Sequence, residues 1–141
     1  MSQTLNLSNM GMIPLDITRK VRFGFEMMDE LPHDDTRTGY FLRQILPHAF
    51  RSYRQQLGQE GIPLNDTVGA LALLEPDLFK YDQLPCDVET EGELTRGVLV
   101  VDQRVLPDWR PNMTVATSVR DVHVRQYIID QLMVAGNATS S

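Results

Sequence analysis

The sequence predicts an α/β fold of mixed strands and helices, and three stretches carry that prediction. The first is 61–76, GIPLNDTVGALALLEP, where a turn leads into a run of Val68, Leu71, Leu73 and Leu74 with alanines between. A short segment that is apolar nearly all round reads as a buried helix. The second is the series Leu42, Leu46, Phe50, Tyr53 and Leu57, whose spacings of four, four, three and four mark one helical face. The third begins at Leu84, where the period changes to two. Leu84, Cys86 and Val88 alternate with Pro85, Asp87 and Glu89, as in a strand with one buried face. The continuous apolar run at 98–101, with a turn at EGEL before it, completes a β-hairpin near 84–101.

The remaining elements follow in order. Residues 1–10 are polar and read as a loose start. A buried strand is expected over 12–18, with Pro14 weakening it or marking its beginning. Phe25, Met28 and Leu31 recur at intervals of three, which suits a short helix over 24–31. Pro32 stops it and PHDD makes the turn. Thr36 is placed to cap the next helix, and Pro47 interrupts that helix, predicting a kink or two shorter helices. GQEGIPL connects it to the apolar helix. A loop over 107–111 holds the single Trp109. Met113, Val115 and Val119 begin another strand. Asp121 is placed to cap a last helix whose Val124, Tyr127, Ile128 and Leu132 face inward. Residues 135–141, AGNATSS, read as a frayed tail. One domain over 11–134 is thus expected between two loose ends.

Composition narrows the function classes. The chain has 141 residues, 42% of them hydrophobic and 23% charged, enough apolar matter for a core and too little charge for global disorder. Its net charge of -6 comes with no basic run to neutralise phosphates, which argues against nucleic acid as a partner. No apolar run reaches spanning length, which argues against a membrane. The start lacks a basic segment and a long apolar stretch, so no signal peptide is expected and the expected location is cytoplasmic. The N-x-S/T triplets at Asn6, Asn65, Asn112 and Asn137 then mean little, since glycosylation needs the secretory route. The one cysteine, Cys86, cannot close an internal disulfide and falls in a strand pattern, so it reads as a small core residue.

Asn65 and Asp66 stand at the mouth of the apolar helix, and a carboxylate there has two uses. It caps free backbone N–H groups, or it is a ligand aimed into a cleft from a rigid helix start. The two uses are compatible.

PLNDTVGALALLEPDLF, followed by VETEGELTRGVLVVDQR, resembles the C-terminal part of the inosine-uridine preferring nucleoside hydrolase family. That family reads roughly P-L-H-D-P at the helix start, then V-E-x-x-G-x-x-T-R-G and V-D. LDITRKV at 15–21 resembles its L-D-V-T-x-x-V, and NMTVATSVRDVHVRQYIIDQL resembles its last strand and helix. The matches keep the family's order from about residue 11 to 134. The resemblance implies the C-terminal half of a nucleoside hydrolase-like fold. It implies hydrolysis of the N-glycosidic bond of ribonucleosides, through a transition state with oxocarbenium character.

In that family calcium, held by several carboxylates, orients the ribose hydroxyls and activates water. Most of those carboxylates belong to a D-x-D-x-G-x-D-D motif, and no such run occurs here, nor does the family's Asn- and Glu-containing ribose-binding segment. The chain begins about where the family's second half begins, so it reads as truncated. Asp66 matches one metal ligand. Asn65 stands where the family has a histidine that helps the base leave, and an amide cannot supply a proton near neutral pH. Thr67 replaces the following proline.

Tyr53 and Gln56 match a segment near the family's base pocket, although Tyr53 also falls on the apolar helical face. Asp16, Arg96 and Gly97 match family positions and read as structural. His33, His48 and His123 read as surface or packing residues. One carboxylate makes no calcium site, so a nucleoside or ribose is expected as ligand only if the chain is complemented. The complement is the missing N-terminal half or a second copy. The alternative is a non-catalytic binding or interaction module descended from that family. A severed half would also expose apolar surface and unpaired strand edges.

Overall fold

The structure, a computed structural model, describes residues 11–105 and 108–138. The loose start expected at 1–10 lies outside the described residues. The central sheet has three strands in the order β1–β7–β4, with β1 at Gly11–Met12, β4 at Phe79–Leu84 and β7 at Met113–Val119. β1 runs parallel to β7 and β4 runs antiparallel to it. β7 is therefore the middle strand, and its Val115 and Ala116 are almost completely buried. This is the mixed α/β architecture that the sequence predicts.

Of the strand expected over 12–18 only Met12 lies in a strand, as the end of β1. Pro14 takes the cap position of a single helical turn, α1 at Leu15–Thr18, with extended backbone. Its carbonyl accepts from Ile17 N and Thr18 N, so the chain coils where the apolar pattern suggested extension. Ile17 and Thr18 are buried, whereas Leu15 and Asp16 face out. The chain then enters β2 at Arg22–Phe23.

The helix expected over 24–31 is a 3-10 helix at Phe25–Glu30. An interval of three is the period of that tighter helix. Met27 is its buried residue, and Phe25 lies largely open.

Thr36 caps α2 at Arg37–Leu57 as expected, accepting from Gly39 N at 3.0 Å. Pro47 lies inside this one helix, so the expectation of two shorter helices is overturned. A proline inside a helix costs about 3 kcal/mol. Leu46 and Phe50, one on each side of Pro47, are both buried in the same core. Their burial offsets that cost and holds the turns on both sides of Pro47 against the core. Arg43 adds a brace, donating to the carbonyls of Met28, Leu31 and Pro32. Gly58 ends the helix at φ 61, the left-handed conformation that glycine adopts most cheaply.

β3 at Ile62–Pro63 pairs antiparallel with β2 and leads into α3 at Asn65–Leu74. α3 is apolar nearly all round, yet it is only half buried. Val68, Leu71 and Ala72 face the core, while Leu73 is 86% and Leu74 71% exposed. The expectation of burial on all sides is corrected: these elements cover one side of α3 and nothing among the described residues covers the other.

The hairpin near 84–101 is present, with a correction to its first strand. Pro85 has no N–H for a ladder, and the chain changes sheets there. Leu84 ends β4, and Cys86–Val88 forms β5, paired antiparallel with β6 at Leu99–Val101. Asn112 spans the break, accepting from Cys86 N at 2.7 Å and donating to Cys86 O at 2.8 Å. Cys86 is buried and unpaired, a core residue as expected, whereas Val88 and the 98–100 run are exposed. Burial pushes the Cys86 thiol above its usual range. At the far end Asp102 is buried against Arg104, whose guanidinium donates to both of its oxygens.

α4 at Asp121–Ala138 packs Val124, Ile128 and Ile129 inward, with Tyr127 and Leu132 at the margin. Asp121 is its first residue, and Val124 N donates to Arg120 O, so Arg120 holds the cap position expected for Asp121. The frayed tail expected from 135 is overturned as far as Ala138. Gly136 lies so close to Pro32 that an added Cβ would meet the ring at 2.4 Å, and Thr38 donates to Ala135 O. Residues 139–141 lie outside the described residues.

Two outcomes follow from this packing. Leu71→Ala is expected to cost about 2–5 kcal/mol in urea unfolding, whereas Leu73→Glu, about 200° round the helix on its open side, is expected to stay within about 0.5 kcal/mol. Equal costs would contradict the one-sided burial of α3. The second outcome concerns acid. Hydrogen bonds from Arg104 hold the Asp102 carboxyl down at about 2, against 3.8 for a free one. A carboxyl depressed by folding stabilises the fold above its unfolded value, and that contribution is lost as pH falls through the window from 3.8 to about 2. The urea midpoint of Asp102→Asn should be lower than wild type at pH 6 and should fall less across that window. A parallel fall in both proteins would contradict the Asp102–Arg104 linkage.

Candidate functional site

The start of α3 is placed by the two residues of β3 and by Arg22 of β2. Phe23 pairs with Ile62 and Arg22 with Pro63. The Arg22 guanidinium also donates to Gln59 Oε1 at 3.2 Å and to the carbonyls of Glu60 and Gly61 at 3.0 Å. Gly61 turns at φ 79 with Phe23 O only 2.7 Å from where a Cβ would stand, so a side chain there would meet the β2 backbone. The turn that delivers residues 65 and 66 is therefore tied to the strand that follows α1.

This geometry sets the first turn of α3 beside the end of α1. The Thr18 hydroxyl, 3% exposed, donates to Asn65 Oδ1 at 2.8 Å. Its other acceptor, Leu15 O, is farther away at 3.3 Å. Asn65 is the first residue of the helix. Leu64 holds the cap position, and no side chain caps the helix start. The capping role expected for Asn65 or Asp66 is thereby overturned, because Asn65 is turned to Thr18 instead. Asp66 is exposed in the first turn, where the helix dipole favours a negative charge, and it has no hydrogen bond or ion pair among the described residues.

The other expected site residues separate. Tyr53 is half-buried and packs against the core, in keeping with its place on the apolar face of α2. Gln56 is exposed on the last turn of α2. Neither lines the groove of about 690 Å³ that opens beside α2. Phe25, edge-on to Phe50 with ring centroids 5.5 Å apart, lines that groove with Arg51 and Arg54. His33, His48 and His123 are all exposed, as are Asp16, Arg96 and Gly97.

Among the described residues, no three His, Cys, Asp or Glu side chains converge to hold a metal ion. Calcium takes about 6–8 oxygen ligands, so Asp66 by itself does not fit the ion. What the site offers is a neutral amide held from behind by a buried hydroxyl, with a free carboxylate next to it. It can hydrogen-bond a polar ligand, and it has no group at residue 65 that delivers a proton. Sequence reasoning missed Thr18 and Arg22. Thr18 stands inside the LDITRKV stretch, but only the fold shows that its hydroxyl is buried against Asn65. No helix among the described residues is long and apolar enough to cross a membrane.

Known proteins resemble this arrangement along most of its length. A pyrimidine-specific ribonucleoside hydrolase, RihA, of Shigella boydii is 30% identical over 122 residues, covering 86% of this chain and 38% of its own length. A non-specific ribonucleoside hydrolase, RihC, of Escherichia coli is 30% identical over 124 residues, covering 88% of this chain and 39% of its own length. The chain thus spans about 40% of the length of the curated relatives it matches. Among solved structures, a purine-preferring ribonucleoside hydrolase from Gardnerella vaginalis superposes with a TM-score of 0.77 at 22% identity, over 91% of this chain and 40% of that one. A plant nucleoside hydrolase, PpNRh1, superposes with a TM-score of 0.71 at 21% identity, over 84% and 39%. These superpositions identify the fold as a partial nucleoside hydrolase fold. Residues 3–126 match the family description itself, and with that match over most of its length the chain belongs to the inosine-uridine preferring nucleoside hydrolase family.

Proposed function

We propose that this chain carries one wall of a ribonucleoside site and serves hydrolysis of the N-glycosidic bond to base and ribose when other carboxylates complete that site. The observation that carries this reading is the placement of Asn65 and Asp66 at the start of α3, beside Thr18, inside the stretch that matches the family. Cleavage leaves positive charge on the sugar and negative charge on the departing base. Asn65 is suited to hydrogen-bond the base or sugar, and Asp66 to face the electron-poor sugar or a cation.

Calcium, which the family resemblance implies, does not fit the described residues alone. No step is assigned to it, and its remaining ligands must come from elsewhere. The relatives' names differ in base preference, so none is carried over to this chain.

The second reading is a non-catalytic binding module. Asn65 favours it, because general acid catalysis of the kind a histidine supplies is commonly worth about 10²–10⁴ in rate. Ribose release from inosine and uridine separates the two. The chain alone is expected to release none. Mixed with a family polypeptide that carries the D-x-D-x-G-x-D-D run, it is expected to release ribose with calcium and not with a chelator. Asn65→His should raise that rate by about 10²-fold or more. A mixture that binds nucleoside and never releases ribose, with either residue at position 65, would favour the binding module.

The exposed faces support a covering polypeptide. Leu73 and Leu74 of α3, with the 98–100 run of the hairpin, present apolar surface that nothing among the described residues covers. Exposed apolar groups of this size are candidate interaction surfaces. In sedimentation velocity the chain alone is expected to self-associate, and Leu73→Glu with Leu74→Lys should shift it toward monomer. A sharp monomer peak for the unmodified chain would contradict the reading.

A further inference from the structure

We propose that Thr18 is the positioning residue of this site. Its buried hydroxyl grips the Asn65 amide by Oδ1 and leaves the Nδ2 hydrogens as a fixed donor for an acceptor atom of a nucleoside. The inference rests on the nucleoside reading of the site and goes beyond it by assigning a polarity to residue 65 and a cause to that polarity.

The argument starts from proton count. A threonine hydroxyl has one hydrogen and can satisfy one acceptor fully. Two acceptors lie within reach, Leu15 O at 3.3 Å and Asn65 Oδ1 at 2.8 Å. The second is at the most favourable O–H···O length and the first is near the limit, so the proton belongs to Asn65. The carbonyl end of the amide is thereby occupied. Its nitrogen end has no acceptor among the described residues, and Asn65 is half-open to solvent. A planar amide held at oxygen has no freedom to present oxygen outward without breaking the Thr18 bond. Thr18 itself is rigid, being β-branched, 3% exposed and part of the helical turn that Pro14 starts.

A residue so held differs from a free surface asparagine, which presents either end. Position 65 becomes a one-way reader. It accepts a ligand oxygen or ring nitrogen with a lone pair and rejects a ligand that brings only a donor. Leaving a ligand donor facing the Nδ2 donor, both without an acceptor, costs about 1–3 kcal/mol, which is the source of the selectivity. Nucleosides offer such acceptors on base and sugar, and Asp66 on the next residue supplies the complementary acceptor for a hydroxyl.

The test uses the full chain, labelled with nitrogen-15, and the variants Thr18→Val, Thr18→Ser and Asn65→Asp. In wild type and Thr18→Ser, the Asn65 side-chain NH2 signals should show the order of the backbone. In Thr18→Val, which keeps the shape and removes the proton, they should show the mobility of an exposed amide. Inosine and uridine titrations followed by chemical shift should give affinity weaker by about tenfold for Thr18→Val, and near wild type for Thr18→Ser. Asn65→Asp keeps the Thr18 bond but replaces the outward donor with an acceptor, so it should also weaken binding at least about tenfold.

Unchanged Asn65 order in Thr18→Val, in a spectrum otherwise folded, would overturn the positioning role. Unchanged affinity in Asn65→Asp would overturn the donor polarity. Should Thr18→Val fail to fold, a mobile Asn65 amide in wild type would overturn the proposal equally. An amide ordered in wild type and loosened in Thr18→Val, with no shift on adding either nucleoside, would uphold the tether and overturn the nucleoside reading of the site.

Discussion

The pairing of β1 with β7 is the constraint on which the rest depends. Gly11 meets Thr114 and Met12 meets Val115, residues roughly a hundred positions apart, in parallel register. That contact closes the fold from end to end, and nearly every other element is contained in the loop it closes. Loop closure of this length is entropically costly, and β7 repays it by serving three neighbours at once: β1 on one side, β4 on the other, and α1 against its face. Because β1 is parallel to β7 and runs straight into α1, the carboxyl end of a strand lies next to the start of α3. Ligand crevices in α/β sheets characteristically form outside the carboxyl ends of parallel strands. Thr18 and Asn65 meet there.

The chemistry available at that place is set by one substitution of character. A histidine in the position of Asn65 would bring a group that titrates near neutral pH, and an asparagine brings a dipole that never titrates. A dipole is useful when it is held still, and the surroundings of Asn65 hold it still. The hydroxyl behind it is buried, the helix on which it sits is anchored through Val68 and Leu71, and the incoming turn is clamped by Arg22. Rigidity of this degree is consistent with recognition of a ligand, and it is independent of whether the remaining carboxylates are present.

Much of the fold was legible in the sequence wherever periodicity is tied to burial. The face of α2, the inward residues of α4 and the β7 strand follow from spacing, and the hairpin near 84–101 from spacing, its turn and its apolar run, though not its pairing of 86–88 with 99–101. The failures share a physical pattern. Apolar content identified α3 as a helix, but it could not tell a helix covered on all sides from one covered on half, because coverage depends on neighbours. Proline had more than one outcome open at two places. At Pro14 it begins a helical turn where the apolar pattern suggested a buried strand, and at Pro47 it sits within a single helix whose flanking core residues are buried. At the site, residue types were readable and their relation was not. Asn65 and Asp66 were visible as a polar pair at a helix mouth, whereas the partner that orients Asn65 lies 47 positions away and is an ordinary threonine in the sequence.

The contact between Gly136 and Pro32 has a consequence for how the chain tolerates change. With no space for a side chain at that crossing, α4 is indexed against the turn after the 3-10 helix by one position only. An inserted or deleted residue earlier in α4 would rotate everything after it by about 100° and bring a side chain to the place of the glycine. Exposed identities along α4, such as Val122, His123 and Val134, are free to drift, but the count of residues between Arg120 and Gly136 is not. The last helix is thus a segment whose length carries more information than its composition.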